Sequence, residues 1–139
     1  MTPTDAFQVV NVLPLPIWLC WILAPRSGLS HTLARTTWPW AMLATIYLLV
    51  LVVAASQHGL DPRAFVSLGS VMGAFRGEWL ALAGWVHYLC FDLFVGRWIM
   101  NDAPDAGYWL SPILLLTLMV GPVGLLCYLA VRGPLGWDR

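Results

Sequence analysis

The chain has 139 residues, of which 60% are hydrophobic, 10% are charged and nine are tryptophan, and its seven arginines balance seven acidic residues to a formal net charge of zero. A soluble domain of this size would expose much of that apolar surface to water, so the composition argues against a water-soluble globule and points to lipid as the solvent. The balanced charge leaves no polybasic face for nucleic acid or anionic lipid.

A helix needs about 20 apolar residues to cross a bilayer. Charged residues divide the chain into four such runs, over residues 7–25, 38–56, 79–100 and 108–131. The first follows "MTPTDA", which lacks the basic segment of a signal peptide, and it is interrupted by Asn11, Pro14 and Pro16. It is therefore expected to stay in the membrane as a helix kinked where the prolines remove backbone donors. Between the second and third runs, "AFVSLGSVMGAF" (Ala64 to Phe75) is apolar but too short to cross, which predicts an interfacial or re-entrant segment. No run alternates over the length of a barrel strand. The expected fold is all-α, an integral membrane four-helix bundle. With four crossings, Arg63, Arg76, Arg132 and Arg139 share a side with both termini, against Arg26, Arg35 and Arg97 on the other. That count predicts cytoplasmic termini, and the arginine-only, tryptophan-rich composition predicts a bacterial inner membrane. Cys20, Cys90 and Cys127 all fall within spans at no metal-ligand spacing and read as buried thiols.

The third span concentrates the chemistry. "GWVHYLCFDLFVGRWI" (Gly84 to Ile99) carries His87 and Asp92 in its middle and Arg97 near its end, with Glu78 one helix length earlier. Glu78 and Arg97 are about 28 Å apart along a helix, so they sit at the edges of the hydrocarbon while His87 and Asp92 lie within it. A carboxylate at mid-membrane costs about 3 kcal/mol on insertion scales, so Asp92 requires a function or a partner. Glu78 and Asp92 fall within about 40° of each other around the helix, with Trp85 on the same stripe, whereas His87 lies about 140° from Asp92. A helix polar on two sides needs neighbours all round, which predicts a central position. The expected cleft is lined by Trp18, Trp85, His87 and Asp92. Bland readings stand beside these: Glu78 as an interfacial helix start, His87 as a core histidine, and Arg97 as an interfacial anchor pairing with Asp102. Asp102 and Asp105, in the turn "NDAPDAG", are expected to be solvated rather than metal-ligating.

The same stretch, with "GEWLAL" before it, the Asp102 loop and "GPVGLLCYL" after it, and "NVLPLPIWLCWILAP" in the first span, resembles the abscisic-acid-deficient-four-like membrane family, which includes plant neoxanthin synthase. The resemblance covers nearly the whole chain. It implies a cofactor-independent isomerisation of a carotenoid-like or other isoprenoid lipid, with no metal. Opening an epoxide to an allenic alcohol needs one proton delivered to oxygen and one removed from carbon. A carboxyl group held out of water favours its neutral, proton-carrying form, so Asp92 is the expected acid, His87 the expected base and Glu78 the reserve carboxylate. Arg97, Trp85, Trp18, Tyr88 and Asn11 are the expected substrate contacts. The alternative is a non-catalytic binding or assembly protein for an apolar isoprenoid, in which the polar residues only register helices. Nothing in the sequence sets an oligomeric state.

Overall fold

The computed structural model describes residues 1–59 and 61–137, apart from the His58 side chain, so Arg139 lies outside the described residues. The helices are α1 (Pro3–Val12), α2 (Leu15–Leu23), α3 (Gly28–Arg35), α4 (Trp38–His58), α5 (Leu68–Ala74), α6 (Glu78–Asp102) and α7 (Leu110–Arg132), and the described residues contain no strand. Four helical stretches are long and apolar enough to cross a membrane: Pro3–Leu23, Trp38–Gln57, Glu78–Asp102 and Gly107–Arg132.

The first stretch breaks where the prolines predict. Thr2 caps α1 in a reciprocal box with Asp5, and α2 restarts after Leu13 with Pro14 and Pro16 at its opening, where a missing N–H is harmless. The chain keeps its direction through the break. Ala6 and Val10 pack with Leu82, Ala83 and Val86, and Trp18 and Trp21 lie beside Gly96, so α1 and α2 run parallel to α6. The end of α2 is closed by Ser30, whose hydroxyl donates to Cys20 O at 2.9 Å and Ala24 O at 2.7 Å, while Trp21 Nε1 donates to Ser30 O at 3.2 Å. The sequence reading did not anticipate α3, which is too short and polar to stand out.

α6 is central, packing against α1, α3, α4 and α7. α4 runs antiparallel to it, with Trp40 beside Arg97 and Tyr47 beside His87. The segment between α4 and α6 is a short 3₁₀ turn followed by α5. It exposes Phe65, Val66, Leu68 and Met72, as suits an apolar run at a membrane surface.

α7 departs from a simple crossing. A straight helix of its 23 residues would be about 34 Å long and would carry Arg132 far from the end of α6. Instead Arg132 Nη2 lies 2.9 Å from Asp102 Oδ2, and the Tyr128 hydroxyl also bonds Asp102. The reversal is at Val120 (φ −145°, ψ 41°) and Gly121 (φ 9°, ψ −80°), followed by Pro122. Gly124 packs directly onto Thr117 across the bend. α7 is therefore a helical hairpin that enters to the level of Asp92 and leaves on the side it came from. Ala6 packs near the start of α6 and Arg132 beside its last residue, so the first and last helices end at opposite ends of the bundle. Arg63 and Arg76 fall on one side, and Arg26, Arg35, Arg97 and Arg132 on the other.

Close packing at Gly96 holds the first crossing to α6. A Cβ there would sit 2.7 Å from Trp18 Cη2 and 3.2 Å from Trp21 Cζ3, both in fully buried rings, whereas one at Gly133 would meet nothing within 4 Å. Gly96→Val is expected to destabilise the protein by about 1–3 kcal/mol. Thermal melts in detergent should show a clear fall in Tm for Gly96→Val and no fall for Gly133→Ala.

Candidate functional site

Asp92 faces the tip of the α7 hairpin. It is 9% exposed, and its Oδ2 has no hydrogen-bond partner. A Cβ on Gly121 would collide with the Asp92 carboxyl, so only glycine allows the reversal to come this close. Breaking a helix in the membrane frees backbone groups on both sides of the break, and such backbone is tolerated only where protein covers it or it lines a cavity. α6 supplies that cover. Pro122, just past Gly121, takes the first position of the returning half-helix, whose N-terminal end favours negative charge. The carboxyl and the broken backbone thus lie directly against each other, out of lipid.

Three of the other expected residues lie along the same side of α6. Tyr88, one turn before Asp92, interacts with its carboxyl and reaches Met119 O at 3.5 Å. Trp85, one turn earlier, donates its indole N–H to Asn11 Oδ1 at 3.1 Å and lies 5.3 Å from the Tyr88 ring. Phe7 on α1 adds a ring contact to Trp85 at 5.6 Å. Asn11, Trp85, Tyr88 and Asp92 therefore form a polar and aromatic row from α1 to the hairpin tip. Trp85, Met119, Val120 and Val123 leave the row open to lipid on one flank.

The other expected site residues lie elsewhere. His87 is on the α4 side, stacked on Phe91 at 4.5 Å and near Tyr47 at 5.8 Å, so His87 and Asp92 do not line one cleft. Trp18 is 1% exposed in the core, where Gly96 makes room for it, and is no cleft wall. Arg97 does not reach Asp92 or Asp102. Its Nε donates to Ala34 O at 2.9 Å, Asn101 Nδ2 donates to the same oxygen at 2.8 Å, and its guanidinium lies over Trp40 at 4.8 Å. Both side chains cap the last turn of α3, whose carbonyls have no helical partner. Asp102 is not a solvated turn residue, since Tyr128 and Arg132 hold it. Glu78 is the first residue of α6, exposed at the positive end of the helix. Among the described residues no three His, Cys, Asp or Glu side chains gather as metal ligands. Sequence reasoning missed Gly121 and Met119. The signal available was "GPVG" in the middle of an otherwise unbroken apolar run.

A double-mutant cycle tests the contact at the tip. Gly121→Ala is expected to lower stability by about 1–3 kcal/mol, and Asp92→Ala, by removing the group the new methyl meets, should recover part of that loss in the double variant. Chemical or thermal melts of the four proteins measure the coupling, and strict additivity would place the two residues out of contact.

A profile of the ABA DEFICIENT 4-like family matches residues 5–128. The chain is 21% identical over 134 residues to Protein ABA DEFICIENT 4, chloroplastic, of Arabidopsis thaliana, an alignment covering 93% of this chain and 61% of that protein. The chain thus spans about three fifths of its curated relative's length. No solved structure matches the chain. With most of its length within the family profile, this helical membrane protein belongs to the ABA DEFICIENT 4-like family.

Proposed function

We propose that the protein is a membrane isomerase acting on a carotenoid-like isoprenoid, with Asp92 as the group that moves the proton. The observation that carries this reading is a mid-membrane carboxyl, nine-tenths buried, with one oxygen unpartnered, beside a broken helix on a lipid-open flank. A carboxyl group with no further task would be expected to have its hydrogen bonds satisfied by the fold around it. Family membership supports an isoprenoid as the substrate class.

The chemistry is proton exchange without redox change. The protonated Asp92 gives its proton to a substrate oxygen as the carbon–oxygen bond breaks. The electron pair of a neighbouring C–H bond becomes the new double bond, and the proton released returns to the carboxylate. Substrate and product contain the same atoms, and Asp92 ends as it began. Tyr88, beside both the carboxyl and Met119 O, orients the acid, while Trp85 and Asn11 hold the polyene against α6. His87 takes no part in this step, because it faces α4. The arginines favour the side of α3 and Arg132 as cytoplasmic.

The test is pigment analysis in carotenoid-producing cells expressing wild type, Asp92→Asn, Tyr88→Phe and His87→Ala, with detergent melts of each. Loss of an acid–base group is expected to lower turnover by about 10² to 10⁴. Wild type and His87→Ala should give a new pigment of unchanged mass, and a stably folded Asp92→Asn should not. Conversion of an identified substrate by Asp92→Asn at the wild-type rate would leave Asp92 as a helix-registering group and favour the non-catalytic reading.

A further inference from the structure

A cavity of about 910 Å³ lies on the opposite side of α6 from Asp92, between the second half of α4, α5 and the first turns of α6. Its volume falls within the range of about 300–1,000 Å³ usual for small-molecule sites. Tyr47, Leu51, Phe75 and Gly84 give it apolar walls, and His87 lies on the α6 wall nearest mid-membrane. Gly84 is what lets α5 close over it, since a Cβ there would lie 2.5 Å from Phe75 Cε1. Phe65, 70% exposed, lines the mouth, and Val66 and Leu68, which follow it in sequence, are also exposed, an apolar rim suited to a membrane surface.

Two charges line this mouth, and no ion pair among the described residues uses either of them. The Arg76 side chain makes no hydrogen bond or salt bridge there. Asp61 accepts the backbone N–H of Arg63 at 2.9 Å through Oδ1 and has no ion-pair partner among the described residues. One free cation and one free anion over an apolar cavity complement a head group that itself carries a phosphate and an ammonium. An anionic head group would meet Asp61 unfavourably, and an uncharged isoprenoid would leave both charges unused. We propose that this cavity binds an aminophospholipid of the phosphatidylethanolamine type. Its phosphate rests on Arg76, its ammonium on Asp61, and one acyl chain runs past Gly84 toward His87. The proposal is independent of the role given to Asp92.

Native mass spectrometry of the delipidated protein, offered equal amounts of dioleoyl phosphatidylethanolamine and dioleoyl phosphatidylglycerol, tests it. Wild type and Asp92→Asn should each retain one phosphatidylethanolamine per chain, at least about fivefold above phosphatidylglycerol. Arg76→Gln and Asp61→Asn, both at exposed positions, should each lower that retention about fivefold. Gly84→Leu, which fills the cavity, should abolish it. Equal retention of the two lipids by wild type would identify an unselective annulus and overturn the proposal, as would undiminished retention by Arg76→Gln and Asp61→Asn. If Gly84→Leu does not fold, those two variants decide alone.

Discussion

A carboxyl group placed in the middle of a membrane-spanning helix has to be kept from lipid, and the architecture follows from how that is done. Asp92 is covered by a second element that itself needs cover: the broken backbone at Val120 and Gly121. Neither would be stable alone at that depth, because each carries polar groups that hydrocarbon cannot satisfy. Packed together against α6, with α2 against the hairpin, they become the interior of the bundle. The central position of α6 is a consequence, since it must present Asp92 to α7 while its other sides are taken by α1, α3 and α4.

The polar groups near the end of α6 do different work from Asp92. Arg97 and Asn101 close the last turn of α3, and Asp102 fastens the returning half of α7 through Tyr128 and Arg132. Trp98 adds to this end, edge-on to Tyr128 at 5.3 Å and under the Arg132 guanidinium at 5.5 Å. These contacts lie at the membrane edge, where partly solvated charges are tolerated. Their effect is to hold both ends of the hairpin on one side so that its tip stays at Asp92. Charged groups at the edge are held in structural contacts, while the buried carboxyl in the middle keeps one oxygen without a hydrogen-bond partner.

Much of this was legible in the sequence. Long uncharged runs bounded by charges reveal four apolar helices, because hydrocarbon thickness sets their length, and Pro14 and Pro16 reveal the break in the first. The two-sided polarity of the third run revealed the central place of α6. The reversal in α7 was not legible: its run is as long and apolar as a crossing, and "GPVG" reads equally well as a mild kink. Contacts between distant residues distinguish the two, chiefly those of Asp102 with Tyr128 and Arg132 and of Gly121 with Asp92. The same limit explains the site. Helical angles separated His87 from Asp92 correctly, yet they carry no information on which neighbour each side meets, so one cleft was expected where the structure has a polar row and a separate cavity. The arginine count depends in the same way on the number of crossings, which the sequence does not fix.

The reversal in α7 is tested most directly by finding the side of the membrane on which each terminus lies. Alkaline phosphatase, active only outside the cytoplasm, and green fluorescent protein, fluorescent only within it when exported unfolded, can be fused in turn to each end of the chain in a bacterial host. Three crossings and a hairpin returning at Gly121 predict opposite results at the two ends, with the C-terminal fusion on the cytoplasmic side beside Arg132. The same compartment at both ends would mean that α7 crosses the membrane, and it would contradict the placement of Asp92 at a hairpin tip.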